Sequence, residues 1–177
     1  MSVQPDTAAF AQKADTQESP SVQIVSPETL NSAPVSVAWR YWNALRGARP
    51  FPARSDLVPR EMASFLRNIV LVRVLDSGKD YEYCIVGDAH VQAQGFDFRH
   101  LRLTQVEAAK IDFSTRATYE HVSNTAMPFT VRGWIGLHIT DTRFSYHESV
   151  FLPLGANGVV DHLLIVSAYT PRGGERA

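Results

Sequence analysis

An Asn-Gly dipeptide at residues 157–158 lies between two segments that have the character of β-strands. In the first of them, residues 143–152, apolar and polar side chains alternate along the chain. Asn-Gly readily adopts the positive φ angles that a two-residue turn between antiparallel strands requires. We therefore expect residues 143–152 and 159–169 to form a hairpin within an antiparallel sheet that has one face in solvent.

The other elements follow from the same kind of pattern. Residues 68–75 and 81–86 flank a polar turn and predict a second hairpin, and residues 129–135 predict a further strand after Pro128. Residues 35–45 carry apolar side chains three and four positions apart, and residues 108–126 carry a second helical pattern. Two strands separated from three by helices predict an α+β fold: a five-stranded antiparallel sheet with helices on one face and an N-terminal helix.

The chain divides into an arm, a domain and a tail. Residues 1–34 are rich in Ser, Thr, Gln, Ala and Pro and are expected to form a disordered or loosely docked arm. Within the arm, the apolar residues 22–25 are expected either to dock or to pair as a strand. Residues 35–170 form the predicted domain, and residues 171–177 form a frayed tail.

The charge balance and the cysteine content exclude several classes of protein. Seventeen Lys and Arg against eighteen Asp and Glu leave a net charge of −1, which argues against nucleic-acid binding through phosphate contacts. A single cysteine excludes an internal disulfide framework and multi-cysteine metal sites. The sequence shows no run long enough to span a membrane and no export signal, so we expect a cytoplasmic protein without membrane partners.

The sequence lacks the motifs of an enzyme. It has no glycine-rich phosphate loop and no turn that would present a nucleophilic serine. Its six histidines are not placed at the spacing of a zinc site, so we expect no metal centre and no catalytic residues.

A proline-bent segment after the first predicted helix carries the most distinctive motif, which is the run WNALRGARPFPARSDLVP at residues 42–59. This run resembles the opening signature of a PAS-like domain family of alphaproteobacteria, with its tryptophan, its Leu-Arg-Gly-x-Arg-Pro-x-Pro-x-Arg run and its Asp-x-x-Pro. The words YCIVG at 83–87 and PLGANG at 153–158 are similar to that family's second strand and last hairpin. The resemblance covers about residues 35–170.

The sequence departs from the family at two places. Ala48 stands where a second glycine is usual, and GFDFRH at 95–100 replaces a Gly-x-Asp-x-Thr-Gly word. The resemblance implies a PAS fold and a non-catalytic sensory or regulatory module that binds a small molecule or a protein partner. A pure protein-interaction domain with a filled core, or a haem-type sensor, is the alternative.

The resemblance implies a ligand pocket between the sheet and the longer helix. The aromatic and histidine side chains that are candidates to line it are Tyr83, Phe96, Tyr119, Trp134, His138 and Tyr146. The competing interpretation is that these side chains fill the core.

The helix and the segment after it are candidates for docking a partner or an anion, through Trp39, Trp42, Arg46, Arg49 and Arg54. The competing interpretation gives the arginines a structural role, as donors to loop carbonyls and to Asp56. The tryptophans would then belong to the core or to a homodimer contact of the N-terminal helix.

Two further residues bear on a cofactor. His121 lies on the helix that supplies the axial histidine in haem-binding PAS domains, although a solvent-facing or structural histidine is the simpler interpretation. Cys84 lacks the Asn-Cys-Arg word of flavin photosensors, so we expect a buried, unreactive thiol. The absence of a cofactor is therefore favoured over a bound haem or flavin.

Overall fold

The computed structural model describes residues 21–109, 115–134 and 144–171. The helices are α1 (Ala33–Arg46), α2 (Asp88–Gln94), α3 (Leu103–Ala108) and α4 (Arg116–Thr125), with short 3-10 turns at Pro27–Thr29, Arg54–Asp56, Leu66–Asn68 and Asp76–Gly78. The strands are β1 (Ser21–Ile24), β2 (Ile69–Leu75), β3 (Asp80–Val86), β4 (Phe129–Trp134), β5 (Phe144–Ala156) and β6 (Val159–Pro171). They form one antiparallel sheet in the order β1-β4-β5-β6-β2-β3.

The α+β fold is confirmed, but the sheet has six strands in place of the expected five. The additional strand is β1, which pairs with β4 so that Ser21 lies opposite Trp134 and Ile24 opposite Val131. The apolar residues near the end of the arm therefore do pair as a strand. Residues 1–20 and 172–177 lie outside the described residues, so the division into arm, domain and tail stays a prediction.

The expected hairpin at Asn157-Gly158 is present. Both residues have positive φ, 55° and 76°, as the turn requires, and Ala156 pairs with Val159 beside it. Gly155 precedes the turn at a register shift, where a Cβ atom would lie 1.9 Å from the carbonyl oxygen of Val159. Glycine is thus required at this position by close approach of the backbone.

Helices cover both faces of the sheet. On β5, Phe151 contacts Tyr119 of α4, whereas Glu148 bonds the backbone just before α1. Positions three residues apart on a strand point to opposite faces, so α4 covers one face, named here the inner face, and α1 covers the other, the outer face. The expectation of a solvated face was wrong because α1 buries it, and β5 is consequently buried along almost its whole length.

The second predicted helix is shorter than its pattern suggested. In the part of residues 108–126 that the structure describes, α3 ends at Ala108 and α4 runs over Arg116–Thr125. Tyr119 and Val122 form the buried side of α4 and pack toward the inner face of the sheet.

Candidate functional site

Aromatic rings fill the space between α4 and the inner face of the sheet. Tyr119 lies 5.2 Å from Tyr81, 6.4 Å from Tyr83 and 6.2 Å from Phe151, measured between ring centroids. Tyr83 is also 4.8 Å from Phe98, edge to face. Burial raises the pKa of Tyr83 and raises that of Tyr119 well above its usual value. The two tyrosines proposed for a pocket thus pack against each other and their neighbours.

The remaining pocket candidates do not join this cluster. Trp134 lies opposite Tyr146 on the adjacent strand, with ring centroids 5.6 Å apart, and this pair forms a separate buried cluster on the outer face. Phe96 is half-buried just after α2, and His138 lies outside the described residues. The sheet therefore separates Tyr83 and Tyr119 from Trp134 and Tyr146, a separation that only the strand register reveals.

The arginines after α1 hold the bent segment together. Arg49 donates to the Asp56 carboxylate at 2.8 Å and to the carbonyl of Leu45 at 2.8 Å. Arg46 donates to Asn43 at 2.8 Å and to the carbonyl of Arg49 at 3.1 Å. The Ala53 N–H, and then the Arg49 guanidinium, lower the pKa of Asp56. These contacts agree with the interpretation in which the arginines donate to loop carbonyls and to Asp56 and so have a structural role.

The remaining docking candidates differ in their exposure. Arg54 is exposed in its 3-10 turn. Trp42 is only 1% exposed and donates its Nε1–H to the carbonyl of Pro153 at 2.9 Å, so its ring belongs to the core. Trp39 stacks on Trp42 with centroids 5.6 Å apart and stays half-buried. Of the two tryptophans, Trp39 is the one that a partner could contact.

A fully buried carboxylate connects the outer face of the sheet to the start of α1. Glu148 is 0% exposed, and its Oε2 accepts the backbone N–H groups of Asn31 at 3.0 Å and of Ser32 at 2.8 Å. Its Oε1 accepts the hydroxyl of Tyr146 at 2.9 Å and lies 4.0 Å from the Arg132 guanidinium. Burial, then the charge of Glu148, raises the pKa of Tyr146. No short-range sequence pattern predicts this network, because Arg132 and Ser32 lie far from Glu148 in the chain.

Arg132 extends this network to the turn that precedes α1. Its guanidinium donates to the carbonyl of Thr29 at 2.7 Å. Arg132 and Glu148 lie opposite each other on β4 and β5, so two neighbouring strands hold residues 29–32. We call Arg132, Tyr146 and Glu148 the helix anchor.

A second buried polar group lies on the far edge of the inner face. The Nε2–H of His90 donates to the carbonyl of Asn68 at 2.7 Å, and its Nδ1 accepts the hydroxyl of Tyr169 at 2.9 Å. Burial lowers the pKa of His90 to about 4, and burial likewise lowers that of His147 to about 4. His90 is therefore a neutral imidazole whose two nitrogens are both bonded, and it fixes α2 to β6.

The cofactor candidates have these positions. His121 is exposed on α4, where its ring packs edge to face on Phe129, while Tyr119 and Val122 occupy the buried side of that helix. His121 therefore does not fit an axial ligand for a haem between α4 and the sheet. Cys84 is a free, half-buried thiol whose pKa is raised by burial. Over the described ranges, no group of three or more His, Cys, Asp or Glu residues is arranged to hold a metal ion.

The helices in the described part of the chain are all too short or too polar to cross a membrane.

No curated protein matches the sequence significantly. A solved structure described as an RNA-binding light-oxygen-voltage receptor is similar over 86% of this chain and 38% of its own, with 14% identity and a TM-score of 0.44. This chain thus spans well under half the length of that receptor. A family model described as PAS domain matches residues 30–164, which include α1, β2 to β5 and the first six residues of β6. The chain belongs to the PAS domain family.

Proposed function

We propose that this PAS domain is a non-catalytic sensory or regulatory module that signals through α1. A small molecule or a protein partner changes how α1 lies on the outer face of the sheet. A second copy of the chain, or a signalling protein, reads that change at the exposed side of α1.

The observation that carries the proposal is the bond from Glu148 to the start of α1. The N-cap residue Ser32 makes no side-chain capping bond of its own, and its N–H is held by the Glu148 carboxylate at 2.8 Å. The start of α1 therefore depends on a residue 116 positions away, on the central part of the sheet. A displacement of β5 would be transmitted directly to α1.

The other end of α1 is attached to the same strand. Trp42 donates to the carbonyl of Pro153, five residues beyond Glu148 on β5. The Trp42 bond is buried and the Glu148 carboxylate is fully buried, and a buried polar group that loses its partner destabilises the fold considerably. The helix therefore has a small number of well-defined contacts whose loss changes its position.

The alternative of a pure interaction domain is favoured by the packing of the inner face. Tyr83 and Tyr119 fill the position where the family resemblance implied a pocket. Native mass spectrometry of the purified protein separates the two versions. A retained small molecule supports the ligand-binding version, and its absence supports the interaction domain.

The proposal is tested by hydrogen exchange of the α1 amides. Glu148→Gln removes the charge of the carboxylate and keeps the shape of the side chain, and we expect exchange over residues 33–46 to become about tenfold faster. Glu120→Gln, an exposed change on α4, is the matched control and should leave this exchange unchanged. Unchanged α1 exchange in folded Glu148→Gln would overturn the proposal.

Substitution of Trp39 tests whether a second copy of the chain contacts α1. We expect the protein to sediment as a dimer and Trp39→Ser to shift it toward the monomer, because large aromatic rings dominate such contacts. Arg40→Ser, at the next and exposed position of α1, is the control. A monomeric wild type would exclude a second copy as the reader and leave a different signalling protein.

A further inference from the structure

A cavity of about 500 Å³ opens at the sheet edge where β6 extends beyond the start of β2. The pairing of these strands ends with Ile69 opposite Val166, so the last residues of β6 have no partner in β2. The turn before β2, helix α2 and the first turn of α1 complete the walls. The volume is in the range of small-molecule sites in proteins.

Partly buried hydrogen bonds fix part of the wall of this edge cavity. The side-chain amide of Asn68 donates to the carbonyl of Ser167 at 2.9 Å, and the backbone carbonyl of Asn68 accepts from His90. Tyr169 donates to the same histidine at 2.9 Å. The turn before β2, helix α2 and strand β6 are thus joined through the buried imidazole of His90, so this part of the wall is pre-formed.

The interior of the edge cavity is largely apolar and aromatic. Ala89 and Ala93 of α2 line it, together with the rings of Phe144 and Tyr169. Those two rings are themselves packed together, with centroids 4.7 Å apart. Such walls suit a flat or branched apolar group.

One side chain of the lining carries a formal charge, the exposed guanidinium of Arg67. It donates to the side-chain oxygen of Gln92 at 3.3 Å, and it forms no ion pair with a carboxylate in the described part of the chain. Asp88, at the start of α2, is not among the lining residues. The guanidinium retains donors in a geometry that matches a carboxylate.

We propose that the edge cavity binds a small organic carboxylate, with its apolar body between α2 and the two rings and its carboxylate on Arg67. This site is distinct from the space under α4, which Tyr119 occupies. The proposal rests on the proposed function, since it supplies the ligand that α1 would report.

The edge cavity lies next to the helix anchor. Pro34 lines the cavity and comes two residues after Ser32, whose N–H is held by Glu148. Ala168 also lines it and is the register partner of Glu148 on the neighbouring strand. An occupant therefore contacts the first turn of α1 and the position of β6 that pairs with Glu148.

The experiment is an NMR titration of the full chain with phenylacetate, with phenylacetamide as the neutral control of the same shape. We expect phenylacetate to shift the amide signals of Ala89, Ala93 and Ala168, and phenylacetamide to bind at least about tenfold more weakly. Phenyl phosphate in a third titration tests whether the site selects carboxylates.

Two variants locate the site. Arg67→Gln should weaken phenylacetate binding at least about tenfold, whereas Arg60→Gln, an exposed change in the loop after α1, should leave it unchanged. Ala89→Leu, at a half-buried wall position, should abolish binding by occupying the cavity. The spectrum of each free variant shows whether it is folded.

The possible outcomes are distinct. Absence of shifts with phenylacetate, shifts located elsewhere, or equal binding by folded Arg67→Gln would overturn the carboxylate site. Tighter binding of phenyl phosphate would also overturn it, in favour of a phosphate ligand. None of these results alters the exchange of α1 in Glu148→Gln, which tests the proposed function separately.

Discussion

The carboxylate of Glu148 accepts the backbone N–H of Ser32 at 2.8 Å, so a strand in the middle of the sheet holds the residue that precedes α1. The carboxylate is completely buried, and the Arg132 guanidinium and the Tyr146 hydroxyl complete its surroundings. A buried charge of this kind is tolerated only where partners surround it. The connection between sheet and helix is therefore specific to these residues.

Removal of this carboxylate should destabilise the fold strongly. Glu148→Ala removes the buried carboxylate beside Arg132 and leaves two backbone N–H groups without their acceptor, and we expect a loss of about 3–5 kcal/mol in the free energy of unfolding. Urea denaturation followed by tryptophan fluorescence measures this loss. Glu120→Ala, an exposed change on α4, should stay within about 0.5 kcal/mol of the wild type. Similar stabilities for the two variants would contradict the structural account of Glu148.

Stability should fall with acid because of His90. Its folded-state pKa of about 4 lies below the ordinary value of 6.5, so the unfolded chain binds more protons between these two pH values. The contribution is complete above pH 6.5 and is lost as the pH falls toward 4, with a limit of about 3 kcal/mol. Unfolding free energies measured across this range give the slope directly.

The histidine variants separate the His90 contribution from that of His147, whose pKa is lowered in the same direction. His90→Gln should be less stable than the wild type at neutral pH and should show a shallower decline with acid. His121→Gln, an exposed change on α4, should retain the slope of the wild type. An unchanged slope in His90→Gln would show that the buried imidazole is not the titrating group.

The turn glycines should respond unequally to alanine. Gly155→Ala forces a Cβ atom to 1.9 Å from the Val159 carbonyl oxygen, so we expect a loss of more than about 3 kcal/mol. Gly158→Ala has open space around it and carries only the strain of a positive φ, which costs about 1 kcal/mol. Thermal unfolding of both variants checks this order, and a reversal would disprove the close approach at Gly155.

The arginines of the bent segment should differ according to their contacts. Arg49→Ala removes bonds to Leu45 and Asp56, so we expect a lower Tm than for Arg54→Ala, which removes an exposed side chain. Differential scanning calorimetry compares the two variants. Equal Tm values would mean that the bonds of Arg49 do not stabilise the segment.

Local sequence patterns were sufficient for most of the fold. The Asn157-Gly158 turn, the second hairpin, the strand after Pro128 and the helix over residues 35–45 were all predicted from short-range preferences. The PAS family was predicted mainly from the run at residues 42–59, with support from residues 83–87 and 153–158, and the family model confirms it. These features depend on residues close together in the chain, and the sequence contains that information directly.

The pairing of strands that are far apart in the chain determines which residues are buried and which are partners, and the sequence alone could not predict this. Alternation along β5 predicts two faces, but only the position of α1 shows that both are buried. Tyr83 and Tyr146 are both tyrosines on strands, but they lie on opposite faces of the sheet. The sequence alone could not show that they do not line the same pocket. The role of Glu148 could not be predicted from its sequence neighbours, because Arg132 and Ser32 lie 16 and 116 residues away.

The sequence by itself therefore determined most of the strands, turns and helices, and the family to which the chain belongs. The tertiary structure alone decided that Glu148 is a buried anchor for α1, that Trp42 belongs to the core, and that a cavity opens beside Arg67. The physical reason is that burial and partner choice depend on distances between residues far apart in the chain. Local preferences for backbone conformation do not depend on such distances.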